Sequence, residues 1–342
     1  MSTDQPELAG ALEAVEEFLL GATPSLTREQ VAEQAGVPMQ VAEELWRLLG
    51  FPHAAPDDVA FTPADVEALR LSQDLMDLGI LGTDSQSALV RTWGRSFARL
   101  AEWETSLLTD IALKSGADPA TELADLAERV LPRVDSLQSY IWRRHLASAA
   151  SRMLAVESVG SPISHLAVCF VDIVGYTSHS KTLAEAELVE WIEHFEDTAS
   201  RLVTDGDGRI IKNIGDEVLF VADDASAAAE IALEMTRRGA DDDDLFPSVR
   251  AGLAYGEVVS RLGDVFGPTV NIASRLTSIA RPGAVLVDRG AYEALSGLED
   301  DRSDSPESDP GGSPYTFRRM RRTSVKGYSR LQSWVLHRRD EH

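Results

Sequence analysis

The periodicity of this 342-residue chain changes at Gly160-Ser161-Pro162, and that change limits the folds open to it. Before it, apolar residues recur at helical spacing. Leu8, Leu12, Val15, Phe18 and Leu19 share one helix face. Thr27 is placed to cap a helix that starts within Ser25–Ala32, and Gly36-Val37-Pro38 breaks the pattern. Val41, Leu45, Leu48 and Leu49 mark the next helix. Thr62 caps another, with Pro63 at its first position. Longer amphipathic stretches run over Leu81–Ser115 and Leu123–Leu154. No strand-like alternation interrupts residues 8–155.

Beyond the break, strands and helices alternate. His165–Asp172 is predicted as a strand and Leu183–Val203 as a long amphipathic helix. Arg209–Asn213 and Glu217–Ala222 read as two strands around a hairpin at Ile214-Gly215-Asp216. Ala225–Arg238 is an Ala-rich helix, Ser248–Val259 a strand, Val270–Ile279 a helix and Ala284–Val287 a short strand. Tyr315–Met320 and Gln332–Leu336 close the pattern. The order β-α-β-β-α-β predicts an α+β chain, all-helical first and ferredoxin-like second. Its antiparallel hairpin brings Asp216 beside the end of the first strand. We expect a helical domain over 1–155, with a helix-turn-helix-like segment at 25–70. A linker over 156–164 and a second domain over 165–342 follow. Within the latter, 299–314 is rich in Asp, Ser, Pro and Gly and reads as an acidic disordered insertion.

Charge narrows the function. The formal net charge is −24, which repels DNA and anionic lipid. The helix that would read DNA, Met39–Arg47, carries Glu43 and Glu44 against one arginine, so no nucleic-acid partner is expected. No apolar stretch is long enough for a membrane span, and the acidic N-terminus is unlike a signal peptide. The single cysteine, Cys169, has no partner for an internal disulfide. Cytoplasmic location is the expectation. The run Asp241-Asp242-Asp243-Asp244 reads as a solvated loop.

The chemistry gathers at Cys169-Phe170-Val171-Asp172-Ile173-Val174-Gly175-Tyr176-Thr177. A buried strand ends there on a carboxylate, and a glycine turn leads into a helix. Hard divalent cations take carboxylate oxygen, and helix N-termini take phosphate. Asp172 and Asp216, on adjacent strands, are a pair that could bridge two metal ions.

Three segments together resemble the signatures of class III nucleotidyl cyclases, in the family's order. They are Phe170–Thr177, Lys212-Asn213-Ile214-Gly215-Asp216-Glu217 and Asp264-Val265-Phe266-Gly267-Pro268-Thr269-Val270-Asn271-Ile272-Ala273-Ser274-Arg275. The resemblance covers residues 163 to 337. It implies that Asp172, Ile173 and Asp216 hold two Mg²⁺ or Mn²⁺ ions per site. It implies that Lys212 and Asp264 read adenine, and so that the substrate is ATP. Asn271 would orient the ribose and Arg275 would stabilise the α-phosphate. The backbone of Ile173, Val174, Gly175, Tyr176 and Thr177 would cradle the triphosphate. Lys326 resembles a late phosphate-contacting lysine, with a solvated hairpin lysine as the other reading. In the family these groups come from two catalytic domains, so a head-to-tail homodimer is implied. The expected function is an adenylyl cyclase making 3′,5′-cyclic AMP and pyrophosphate. The alternative is a catalytically silent cyclase-fold sensor.

The whole organisation resembles soluble bacterial adenylyl cyclases with a helical N-terminal regulatory domain. Autoinhibition, and a small regulatory ligand such as a lipid, are what that organisation implies. His145 and His165 flank the linker as candidate pH-responsive groups, or are plain surface histidines. Ser136–Leu154 reads as a switch helix or as ordinary core.

Overall fold

The computed structural model describes residues 15–81, 84–116, 118–155, 163–241, 243–297, 307–308, 312–321, 323–325 and 328–339. The chain divides into two units, Met1–Val159 and Gly160–His342.

The first unit is helical: α1 (Arg28–Ala35), α2 (Met39–Leu49), α3 (Pro63–Asp77), α4 (Asp84–Lys114) and α5 (Pro119–Ala155). The caps fall where the sequence placed them. Thr27 Oγ1 accepts from Gln30 N, and Thr27 N donates back to Gln30 Oε1 at 2.9 Å. Thr62 makes the same box with Asp65 ahead of Pro63. Val31, Ala42, Leu45, Val66 and Leu69 form the core of this bundle. One β-bridge, Leu26 to Phe61, ties the chain before α1 to the chain before α3. On α2, Glu43 pairs with Arg28 and Glu44 with Arg47. Residues 8–14 of the first predicted helix lie outside the described residues.

The second unit is built on one mixed sheet. Its elements are β1 (Ile163–Ile173), α6 (Tyr176–His179), α7 (Glu185–Asp205), β2 (Gly208–Ile214), β3 (Glu217–Ala222), α8 (Ala225–Arg238), β4 (Val249–Arg261), β5 (Asp264–Phe266), α9 (Pro268–Ile279), β6 (Val285–Val287), α10 (Arg289–Ser296), β7 (Glu307–Ser308), β8 (Tyr315–Arg319), β9 (Thr323–Val325), β10 (Tyr328–Leu331) and β11 (Trp334–Arg338). The strand order β2-β3-β1-β4 is the predicted ferredoxin-like arrangement; β6, β11, β8 and β7 extend it past β4. The pair β9–β10 forms a separate hairpin.

Strand β1 is buried on both faces, which explains its unbroken apolar run. Ala167, Cys169, Val171 and Ile173 pack with Phe195 of α7 and Ile231 of α8. Leu166, Val168 and Phe170 pack on the other face with Leu219 and with Ala273 of α9. Burial pushes the Cys169 thiol up, so it is an inert core residue.

Three expectations need correction. First, β1 starts at Ile163, inside the predicted linker, because Ile163 pairs with Val259 although its side chain is exposed. Exposure hid it from a hydrophobic pattern. Second, the disordered insertion is anchored in its described parts. Glu307 and Ser308 pair with β8, and the buried Ser313 hydroxyl donates to Leu295 O at the end of α10. Residues 299–306 and 309–311 lie outside the described residues. Third, α10 was not foreseen.

Asp288 caps α10 and ties it to β4. Its Oδ1 accepts from Ala291 N at 2.8 Å and from Tyr255 N at 3.1 Å. Burial nevertheless pushes its carboxyl from 3.8 up to about 6. Between those values the folded chain holds a proton that the unfolded chain has lost. Stability from this group is therefore full below 3.8 and is lost as pH rises through about 6. In thermal melts from pH 4 to 7, Asp288→Asn should remove this slope, on the order of 2 kcal/mol, relative to wild type. Equal slopes in both proteins would show that the N–H donors outweigh burial.

Candidate active site

Four strands deliver the acidic end of the site. Asp172 is the last polar residue of β1, opposite Glu217 on β3 and Arg250 on β4. Arg250 Nε and Nη2 donate to Asp172 Oδ2 at 2.8 and 2.6 Å. Both bonds fall on one oxygen, so Oδ1 has no partner among the described residues. Ile173 N donates to Asp216 O at 3.1 Å, which stitches the β2–β3 turn onto β1. Gly215 makes that turn at φ 65°, the left-handed region that a side chain disfavours.

The electrostatics show excess negative charge. Burial, the Asp172 charge and partial compensation by Arg250 leave the Asp216 carboxyl above its ordinary value. Burial, with Asp172 and Asp216 as neighbours, pushes Glu217 up to about 7. One arginine therefore faces three carboxyl groups. Among the described residues, no three His, Cys, Asp or Glu side chains converge into a complete metal cage. Two carboxylates and a backbone carbonyl are nevertheless a donor set that suits a hard cation retaining waters and substrate phosphates. The uncompensated charge favours a cation there, so the residues fit the metal ions that the signatures imply.

Lys212 and Asp264 meet, Nζ to Oδ2 at 2.5 Å. A bulge makes this contact. The β2–β3 register shifts between Ile210 and Lys212, so Lys212 lies opposite Leu219. In an unbroken ladder it would face Val218, whose side chain lies in the opposite core. The extra residue, Ile211, thus turns the lysine out of the α7–α8 core. Asp264 opens β5 after a turn in which Leu262 takes φ 56° and Gly263 φ 77°. Its Oδ1 accepts from Val265 N.

Asn271 and Arg275 lie four residues apart on α9 and share a face. Neither side chain has a hydrogen-bond or ion-pair partner among the described residues. Among the described residues, no hydrogen bond or ion pair joins them to Asp172, Asp216, Lys212 or Asp264. Helix α9 is seated by a close approach. A Cβ on Gly252 would lie 2.3 Å from Thr277 N and 2.4 Å from Ala273 O. Thr277 Oγ1 reaches across to Phe170 O. We expect Gly252→Ala to lift α9 and lower kcat at least about tenfold with little change in KM, as displaced transition-state groups do. Steady-state kinetics would show it, and unchanged kcat would mean that α9 tolerates the shift.

In the turn after β1, Ile173 N and Val174 N are engaged, the latter with Ser248 O at 2.8 Å. Gly175, at φ 75°, starts α6. Its carbonyl accepts from Ser178 N and His179 N, and His179 Nδ1 lies 3.1 Å away. Trp191 of α7 stacks against both Tyr176 and His179. Lys326 lies outside the described residues.

The sequence reading missed Arg250 and Glu217. For Glu217, adjacency to Asp216 was an available signal. For Arg250 there was none, since its strand carries no motif and its partner lies 78 positions away.

A ferredoxin-like sheet with an acidic strand end, a Lys–Asp pair and an Asn–Arg helix defines a nucleotidyl cyclase catalytic unit. The adenylate and guanylate cyclase catalytic domain family matches residues 159–338, and the adenylate cyclase regulatory domain family matches residues 9–146. The chain belongs to the adenylate and guanylate cyclase family. Within it, the chain stands with relatives named adenylate cyclase. An adenylate cyclase of Streptomyces coelicolor is 38% identical, covering 95% of this chain and 89% of the relative. One from Glutamicibacter nicotianae is 38% identical, over 94% and 81%. A pH-sensitive adenylate cyclase of Mycobacterium tuberculosis is 30% identical, over 90% and 77%. Among solved structures, an adenylyl cyclase from P. aeruginosa superposes with TM-score 0.43 at 23% identity, covering 53% of this chain and 98% of that one. No helix among the described residues is long and apolar enough to cross a membrane.

Proposed function

We propose that this chain converts ATP to 3′,5′-cyclic AMP and pyrophosphate at sites shared by two copies arranged head to tail. The observation that carries this is the division of groups within one chain. Asp172 with Asp216, and Lys212 with Asp264, are assembled. Asn271 and Arg275 have no hydrogen-bond or ion-pair partner among the described residues. One copy then supplies the carboxylates, and the other supplies Lys212, Asp264, Asn271 and Arg275.

Each group has a task that its chemistry suits. Lys212 Nζ donates to adenine N1, and Asp264 accepts from the exocyclic amine. Guanine reverses that pattern and would leave both groups unpaired, so ATP is favoured over GTP. Asn271 orients the ribose. Arg275 donates to the α-phosphate oxygens as charge grows on them. With the N–H groups of Ile173 and Val174 engaged in the fold, those of Gly175, Tyr176 and Thr177 are left to cradle the triphosphate. Arg250 fixes Asp172 by one oxygen and leaves the other open. Asp172, Asp216 and the Ile173 carbonyl would hold two Mg²⁺ or Mn²⁺ ions, which supply charge for deprotonating the 3′-hydroxyl and for the departing pyrophosphate. The 3′ oxygen bonds to the α-phosphorus, the bond to pyrophosphate breaks, and the hydroxyl proton leaves to solvent.

The helical unit would regulate this reaction in the cytoplasm. A cavity of about 330 Å³ beside α2 is lined by Val41, Leu45, Leu48, Met76 and Val90, with Glu44 at its polar side. Such a mostly apolar lining suits an apolar ligand. Purified full-length protein with Mn²⁺ should make cyclic AMP from ATP and far less cyclic GMP from GTP. No product from ATP with either metal, across pH and with added lipid, would leave the silent sensor as the surviving reading.

A further inference from the structure

Strand β1 passes to α7 through a link whose backbone is bonded mainly to itself. Val174 N donates to Ser248 O, just before β4, at 2.8 Å. Beyond it the bonds turn local. Ser178 N and His179 N donate to Gly175 O, Ser180 N to Tyr176 O, and Thr182 N and Leu183 N to His179 O. Ala184 N donates to Glu187 Oε2, in the first turn of α7. Among the described residues, no hydrogen bond from Gly175 to Leu183 reaches another element. Local bonds shape a turn, but they do not fix where it sits on the molecule. Two ring contacts with Trp191 of α7 do that. The Tyr176 ring lies 6.2 Å from the indole and 6° from parallel to it. The His179 imidazole lies 5.5 Å away at 30°. Tyr176 and His179 are three residues apart on α6, so both present the same side to the indole. Trp191 is itself well held. Four residues on, on the same face of α7, Phe195 is fully buried and packs 5.4 Å from Phe246.

We propose that Trp191 is a positioning residue for the reaction: its indole holds Tyr176 and His179, and through them keeps the turn at Gly175–Thr177 ready for the triphosphate. The proposal rests on the reading of that turn as the phosphate cradle. Trp191 lies outside the three signature segments and touches no reacting atom, so it acts only through the turn. His179 couples the indole to the turn a second time, because its Nδ1 lies 3.1 Å from Gly175 O. With that carbonyl held into α6, the N–H groups of the turn stay turned away from it and open to an anion. A turn that wanders must be ordered again each time substrate binds. The apparent affinity then falls by the fraction of time the turn is in place. Two aromatic contacts are together worth about tenfold in such an equilibrium. The phosphates are gripped before and during the reaction alike, so the loss belongs in KM rather than in kcat.

Limited proteolysis and steady-state kinetics of the full-length chain test this together. Lys181 is exposed, and it is the one trypsin site between Gly175 and Trp191. In native protein, Trp191→Leu should speed the cut between Lys181 and Thr182 about tenfold, read by mass spectrometry against the other cuts. The KM for ATP should rise by about the same factor, with kcat within about twofold of wild type. Trp191→Phe keeps a ring on α7 and should return both values to within about threefold of wild type. His179→Ala, at an exposed position, should move both part of the way, and it stands in if Trp191→Leu melts early. Inorganic tripolyphosphate with Mn²⁺ should slow the same cut in wild type, since it fills the turn without needing the base. An unchanged cut in a folded Trp191→Leu protein overturns the proposal, and so does a fall in kcat with KM unmoved. A faster cut with KM unmoved and no protection by tripolyphosphate would uphold Trp191 as the anchor of the link and overturn the phosphate cradle instead.

Discussion

Asp172→Asn should lower cyclic AMP formation by at least about a thousandfold, the scale expected when a charge at the reacting phosphates is removed. The asparagine retains an oxygen for the Arg250 guanidinium, which now bonds Asp172 Oδ2. The β1–β4 contact should therefore survive, and the melting temperature should stay within a few degrees of wild type. Asp172→Ala should abolish activity as well, but it also leaves Arg250 in a part-buried position without its carboxylate, at a cost of about 1–3 kcal/mol. The asparagine variant is thus the sharper test. A folded Asp172→Asn protein within tenfold of wild-type activity would remove Asp172 from the metal role.

The second large effect comes from mixing inactive chains. Arg275→Ala alone should lose about a hundred- to a thousandfold in kcat with KM little changed, because its charge acts on the transition state. Asp172→Asn alone is inactive for a different reason. In a head-to-tail pair of one such chain with the other, both defects fall in one site and the second site is intact. Co-expressed in equal amounts with random pairing, the two variants should recover about a quarter of wild-type activity, since half the pairs are mixed and each has one working site. Complementation absent from a confirmed mixed dimer would mean that each chain builds its site alone.

Much of this site was legible because its signals are local. An apolar run ending at Asp172, a Gly-Asp turn at Gly215-Asp216 and an i,i+4 pair at Asn271 and Arg275 are each contained within a few residues. The caps at Thr27 and Thr62 were equally plain, since a capping box spans four positions. What escaped the reading depends on partners remote in sequence. Helix α10 is short, and its cap, Asp288, is buried against Tyr255 of β4. The start of β1 at Ile163 is defined by pairing with Val259 rather than by burial. Arg250 looked like any strand arginine until β1 lay beside it.

The sequence by itself determined the order of the main elements, the ferredoxin-like unit and the identity of the predicted reacting groups. These follow from residue period, turn chemistry and motif. Only the tertiary structure decided how those groups face one another. The bulge at Ile211 turns Lys212 towards Asp264, because pairing with β3 sets its register. Gly252 sets how closely α9 lies on the sheet. The exposure of Trp103 and Trp142 was equally hidden, since a helical pattern shows which residues share a face but not whether anything covers it. Side-chain direction and coverage arise from contacts between distant segments, and those exist only once the chain has folded.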